Sequence, residues 1–289
     1  MRILYHHGTS YPESRNRQKK SIREAFMGSY VISDIHGCYD ELIRMLEKIN
    51  LEDSDTLICA GDYVDKGPKN AEVLEWIMNV PPNVILLRGN HDEDFAQNIE
   101  AMRIISYKMD LDRDSLQDTK TLYRSMKKLA KKDSSVKFDR CETVYELIES
   151  GYTFSRLCAV ADLIKNMPYL YETKVSGRKC IVVHAGYIRR LDTPELKTRY
   201  SSREEFYMNA RGDGFTDGGI MHGMVVAGHT PTTKEEEFAY NDGLVFRKYD
   251  EERDFLFYDI DCGCWMRYTG KKNARLACFR LEDEKAFYV

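Results

Sequence analysis

The sequence predicts an α/β protein, a sandwich of two mixed β-sheets flanked by helices and carrying a helical insertion. Three observations predict it. Five short apolar runs (Tyr30 to Ile32, Leu57 to Cys59, Val84 to Leu87, Ile181 to Val183 and Val225 to Ala227) are largely β-branched, and each leads into a loop bearing His, Asp or Asn. Such runs read as short buried strands. Asp34, Asp62 and Asn90 recur 28 residues apart, close to the roughly 30 residues of a β-α-β unit, whose crossover brings parallel strand ends to one edge. Beyond residue 240, alternating segments separated by turn residues read as further strands.

Residues 1 to 28 are expected to form a mobile extension, or a leader upstream of a start at Met27. They hold a basic cluster (Arg15, Arg17, Lys19, Lys20, Arg23), with His6 and His7 expected in solvent. From Ser29 the pattern is strand, motif, helix. Leu42, Met45, Leu46 and Ile49 share one helical face, as do Val73, Leu74, Ile77 and Met78 before Pro81-Pro82. Residues 93 to 170 read as a helical insertion: Leu122, Met126 and Leu129 give one face, Val144, Leu147 and Ile148 a second, and Leu157, Val160, Ala161 and Ile164 a third. The final strands are expected at Leu244 to Tyr249, Phe255 to Ile260, Arg275 to Leu281 and Ala286 to Val289, with a turn at Asn241-Asp242-Gly243. They are expected to make a second, largely antiparallel sheet.

With 289 residues, 43% of them hydrophobic, the chain can bury one sizeable core, and residues 29 to 289 read as a single domain. A net charge of −4 gives no basic footprint for nucleic acid, although a local phosphate site needs only a few cations. No apolar run approaches the roughly 18 residues that suggest a membrane span, and a cytoplasmic location is expected. The eight cysteines are scattered and read as reduced thiols; Cys262-Gly263-Cys264 falls short of a tetrahedral zinc set.

The chemistry lies in five segments: Ser33-Asp34-Ile35-His36-Gly37, Gly61-Asp62-Tyr63-Val64-Asp65, Arg88-Gly89-Asn90-His91-Asp92, His184-Ala185-Gly186 and Gly228-His229-Thr230. Singly each is weak, since Gly-Asp and Gly-Asn are common in turns. Together they place oxygen and nitrogen ligands at buried strand ends, where charge is costly unless compensated. A pair of cations is the natural compensation.

In order, the segments resemble the calcineurin-like metallophosphoesterases, with their pattern D-x-H, G-D-x-x-D, G-N-H-[DE], H-x-G and G-H. Gly61 to Gly67 and Leu87 to Asp92 resemble the phosphoprotein phosphatase branch, G-D-Y-V-D-R-G and L-R-G-N-H-E. Proline at Pro231, where other branches have a further ligating histidine, favours the same branch. The resemblance implies a metallophosphoesterase sandwich and two divalent metal ions, manganese first with iron or zinc as alternatives. It gives Asp34, His36 and Asp62 to the first metal and Asp62, Asn90, His184 and His229 to the second. A metal-bridging hydroxide would attack phosphorus, with His91 as general acid and Asp65 holding its imidazole. Arg88 matches a phosphate-binding arginine, Arg211 is a second candidate, and Lys66 stands where the branch usually has arginine, keeping charge but not bidentate geometry. No role is assigned to His222. The implied activity is phosphate monoester hydrolysis, most like a bacterial serine/threonine protein phosphatase. A symmetrical diadenosine tetraphosphatase is the alternative, and an inactive scaffold the alternative of another class. The implied partner is a phosphoprotein or a small phosphorylated molecule.

Overall fold

A computed structural model describes residues 27–140, 142–216, 218–238 and 241–289. Apart from Met27 and Gly28, the expected N-terminal extension lies outside them, as does Cys141. Among the described residues, ten strands form two five-stranded sheets. The first has the order β10-β9-β1-β2-β3, from β1 (Ser29–Ile32), β2 (Thr56–Cys59), β3 (Val84–Leu86), β9 (Ala277–Arg280) and β10 (Lys285–Tyr288). The second has the order β4-β5-β6-β8-β7, from β4 (Leu170–Val175), β5 (Arg178–Val183), β6 (Gly223–Ala227), β7 (Phe246–Asp250) and β8 (Phe255–Asp259).

Alternation along the strands decides what each face covers. Val31, Ile58, Val182, Val226, Leu256 and Phe279 lie in one cluster between the sheets. Their neighbours Tyr30, Ile32, Leu57 and Cys59 face outward under helices of the first sheet, while Ile181, Val183, Val225 and Phe257 face outward on the second. Both faces are therefore dry, and each fully buried aliphatic side chain contributes about 1.5–3 kcal/mol.

The C-terminal strands do not make a sheet of their own, which corrects the sequence expectation. β9 and β10 extend the first sheet, β9 antiparallel to β1 and β10 antiparallel to β9, whereas β7 and β8 join the second. That sheet is parallel at its centre, β5 to β6 and β6 to β8, and antiparallel only at its edges. The periodicity of a strand reports its buried face but not its partner, so pairing across more than a hundred residues is invisible locally. β4 also escaped the pattern reading, because it is a partly exposed edge strand, hairpinned to β5 through Ser176-Gly177.

Helices α1 (Tyr39–Ile49) and α2 (Asn70–Met78) are the crossovers of the parallel strands, burying Leu42 and Met45, and Val73, Leu74 and Ile77. α3 (Asn90–Ser106) begins at the third motif. It is followed by α4 (Leu116–Lys132), α5 (Glu142–Glu149) and α6 (Phe154–Asn166), which pack on the core of the first sheet. After β5 come two short helices that the sequence reading passed over, α7 (Pro194–Arg199) and α8 (Arg203–Asn209), started by Thr193 and Ser202, whose side chains cap the first turns.

Candidate metal centre

The parallel strands β1 and β2 stop, but their backbones keep pairing beyond the ends. Asp34 N donates to Gly61 O (3.1 Å), His36 N to Asp62 O (2.9 Å) and Gly37 N to Tyr63 O (2.8 Å). On the second sheet Gly228 N donates to His184 O (2.7 Å). The motif loops are thus laced together before any side chain is considered. Backbone strain accompanies the lacing: Asp34, His36, Asp62, Asp65, Lys66 and His229 all have positive φ, between 45° and 73°. Such conformations are costly for non-glycine residues and persist where surrounding bonds over-determine them. Close approach also dictates two glycines. A Cβ at Gly89 would collide with the Asp62 carboxylate, and one at Gly228 with Ser33 and Asp34.

The side chains converge on Asp62. His36, Asp62 and His91 have donor atoms mutually within 4.8 Å, and so do Asp62, His184 and His229. One aspartate therefore belongs to both groups, an oxygen toward each: Oδ2 lies 3.3 Å from His36 Nε2 and Oδ1 lies 3.5 Å from His184 Nε2. Asp34 Oδ1 is 3.7 Å from His36 Nε2, and Asn90 Oδ1 is 3.1 Å from His184 Nε2. The structure brings six predicted ligands, Asp34, His36, Asp62, Asn90, His184 and His229, to one point where the two sheets meet.

The imidazoles are preset. His36 Nδ1 donates to Val64 O and His184 Nδ1 to Ala60 O, both at 2.8 Å, which leaves each Nε2 with its lone pair toward Asp62. His229 Nε2 is buried without a hydrogen-bond partner. Burial, then the charge of Lys66 and of neighbouring His91, holds His36 well below the ordinary histidine range. Burial followed by His184 and Arg211 does the same for His229. Asp62 is pushed well above the usual carboxylate range by burial, with Asp34 and Asp92 adding to the effect. Imidazoles grouped around a carboxylate whose charge burial penalises fit divalent cations.

His91 stands in the first turn of α3 and turns Nδ1 to Asp65 Oδ2 at 2.7 Å. Asp92, the next residue, accepts from the backbone N–H of Gly89 (2.9 Å), Asp62 (2.8 Å) and Tyr63 (2.9 Å). It caps α3 and ties the second motif to the third.

The predicted phosphate ligands fall out differently. Lys66 Nζ is 2.9 Å from His36 Nε2 and lies over the Trp265 ring, so its ammonium meets the lone pair that the resemblance gives to a metal. Arg211 is exposed, yet close enough for its charge to depress His229. Arg88 does not reach the cluster. Its buried guanidinium donates to Glu93 Oε2 (2.8 Å), Tyr169 OH (3.0 Å) and the carbonyl of Lys165, and it stacks on Tyr169. These bonds hold the guanidinium against the end of α6 and the residues before β4.

Two further residues belong to the site. Asp261 is buried just beyond β8 and is pushed well above the carboxylate range by burial and by the Asp34 charge. The signal for it was present, because Asp259-Ile260-Asp261 also places acids at the end of an apolar run. Thr143 of α5 donates its hydroxyl to Asp65 Oδ1, and nothing in its sequence surroundings announces that contact. Two cavities are lined by residues of the third motif. One of about 440 Å³ is lined by Asp65, Lys66, His91, Arg140 and Thr143, and another of about 370 Å³ by Asn90, Asp94, Asn98, Lys137 and Arg140. A larger one, about 920 Å³, opens beside Arg189, Arg203 and Arg253 and contains none of the predicted ligands. His222 is exposed beside Asp254. Cys264 lies with Cys38 and Glu41 rather than with Cys262 in a candidate metal-binding group.

The model of the calcineurin-like phosphoesterase family matches residues 27–239, and the chain belongs to that family. Among individual proteins, it is 45% identical over 67 residues to the symmetrical bis(5'-nucleosyl)-tetraphosphatase of Buchnera aphidicola subsp. Baizongia pistaciae. The match covers 23% of this chain and 24% of that protein. The symmetrical bis(5'-nucleosyl)-tetraphosphatase of Salmonella paratyphi A matches to the same extent. The chain thus spans about a quarter of the length of these curated relatives. A crystal structure that bears a provisional diadenosine tetraphosphatase name superposes with a TM-score of 0.50 over 91% of this chain and 92% of its own, at 18% identity, which speaks for the fold. No helix among the described residues is long and apolar enough to cross a membrane.

Proposed function

We propose that this chain is a divalent-metal-dependent phosphoester hydrolase acting on phosphate monoesters, with phosphoserine or phosphothreonine proteins as the first substrate class. One observation carries the reading: Asp62 offers one oxygen to each of two donor groups, with the Asp65–His91 pair at their edge. Asp34, His36 and Asp62 would hold one cation, and Asp62, Asn90, His184 and His229 the other. Bound there, the cations supply Lewis acidity that lowers the pKa of water to about 7 and offsets phosphate charge. Mixed imidazole, carboxylate and amide donors suit manganese, iron or zinc, manganese first.

The chain's own residues do the rest. His91, its Nδ1 occupied by Asp65, has Nε2 left to protonate the leaving oxygen. Asp65 fixes the ring through the hydrogen bond at Nδ1. Arg211 and Lys66 are the cations this reading gives to the phosphate oxygens, with Arg211 supplying the planar fork.

A second reading, hydrolysis of dinucleoside polyphosphates, is favoured by the similarity to proteins named symmetrical bis(5'-nucleosyl)-tetraphosphatase. The same centre serves both, and the walls of the cavities beside His91 would choose. Purified protein should lose activity on chelation and regain it with manganese. Parallel assays on a phosphoserine peptide and on diadenosine tetraphosphate then separate the readings. Hydrolysis of neither, together with turnover of some other small ester, would overturn both substrate assignments.

A further inference from the structure

The Asp65 carboxylate is held at both oxygens. Oδ2 meets His91 Nδ1 at 2.7 Å, and Oδ1 accepts the hydroxyl of Thr143. Thr143 is 78 residues away in sequence, in the first turn of α5, and its residue exposure is only 3%. An aspartate carboxylate bound at one oxygen turns easily about χ2, a broad torsion. A second bond, from a β-branched side chain with few rotamers, removes that freedom. The same helix reaches the loop a second time: Glu146 Oε2 accepts from Asn70 Nδ2 at 2.8 Å, and that amide also donates to Gly67 O at 3.2 Å. The loop carrying Asp65 and Lys66 is therefore clamped from the helical insertion at two points, both on the wall of the cavity beside His91.

We propose that Thr143 is a positioning residue of the reaction. By donating to Asp65 Oδ1 it fixes the carboxylate, and through it the His91 ring, in the orientation from which the proton passes to the leaving group. A water oxygen forms the new bond to phosphorus as the ester P–O bond breaks, and the electron pair of that bond goes to the leaving oxygen, which takes the proton from His91 Nε2. Thr143 keeps its own proton throughout. The inference rests on the hydrolase reading given above and adds that the insertion governs the proton-transfer step.

The test compares Thr143→Ser with Thr143→Ala. Both lose the same methyl group and differ only in the hydroxyl. The substrates are p-nitrophenyl phosphate, whose leaving group needs little protonation, and whichever unactivated ester the wild type turns over. Thr143→Ala should lower kcat on the unactivated ester about tenfold, the rate equivalent of one hydrogen bond to a charged group. The loss on p-nitrophenyl phosphate should be several-fold smaller, and Thr143→Ser should restore most of the rate. If Thr143→Ala does not fold, Thr143→Val keeps the shape without the donor and should show the same selective loss. Equal kinetics of the Ser and Ala variants, or equal losses on both esters, would overturn the role of Thr143. In that event a His91→Asn variant impaired mainly on the unactivated ester would leave the hydrolase reading standing. A wild type inactive on every phosphate ester, with cations supplied, would remove that reading and this inference with it.

Discussion

The metal centre and the helical insertion beside it are built on opposite principles. Each candidate ligand sits within a few residues of the end of a strand, among segments pinned by backbone hydrogen bonds, and four of the six, Asp34, His36, Asp62 and His229, are held in left-handed backbone conformations. The insertion contributes through single side chains, Thr143 of α5 on Asp65 and Arg140, between α4 and α5, at the meeting of two cavities, and its helices show ordinary amphipathic packing. The contrast teaches where chemistry and selectivity reside. Strand ends hold the charged donors, and on the proposed reading the insertion supplies the wall that a substrate would meet.

The sharpest way to break this contrast is at His91. His91→Asn should cost roughly 10²- to 10⁴-fold on an unactivated ester and far less on p-nitrophenyl phosphate. Undiminished rates on both would remove the general acid from the centre. Arg88 tests the boundary between the two regions, because it ties the third motif to the end of α6. Arg88→Ala leaves the Lys165 carbonyl and Glu93 without their partner, and should cost about 3 kcal/mol of stability, measured by denaturant unfolding, with a modest effect on kcat. A collapse of activity at unchanged stability would instead return Arg88 to the phosphate.

Proton linkage gives a third test. Asp62, Asp92 and Asp261 are all raised above the 3.8 of an ordinary aspartate, chiefly by burial. The metal-free fold thus retains protons that the unfolded chain has released, and its stability is fullest below 3.8 and falls as pH rises through the folded-state values. His36 and His229, lowered from 6.5 by burial, act in the opposite sense: the unfolded chain takes up protons that the fold refuses, so their contribution is lost as pH falls below 6.5. Cations relieve the carboxylate cost and need the imidazoles neutral. The rise in Tm on manganese loading should therefore be larger at about pH 7.5 than at about pH 5, and a rise independent of pH would contradict the assignment. Smallest in effect is Arg140→Ala, which breaks the 2.8 Å pair with Asp94. A change of about two- to fivefold in KM with little change in kcat would place Arg140 on the selecting wall. A large fall in kcat would make it part of the centre.

Much of the centre was legible from sequence because its signal is local: a β-branched run, then a carboxylate or imidazole that burial would otherwise penalise. Asp261 carries the same signal at the end of β8, outside the five motifs. What escaped was nonlocal. The alternation in β7 to β10 identified strands but placed all four in one sheet, whereas β9 pairs with β1 and β10 with β9 in the other. The motif around Arg88 was readable, but the direction of its guanidinium was not, because two of its acceptors stand some eighty residues on, at the end of α6 and before β4. Thr143 looks like any helical threonine until the fold brings Asp65 to it.

The central claim is that Asp62 joins two cation sites, and metal stoichiometry of the wild type beside Asp62→Asn tests it most directly. Two manganese ions per wild-type chain, with both occupancy and activity largely lost in Asp62→Asn, is the predicted result. A variant that keeps the wild-type metal content, or a wild type that takes up none, would contradict it.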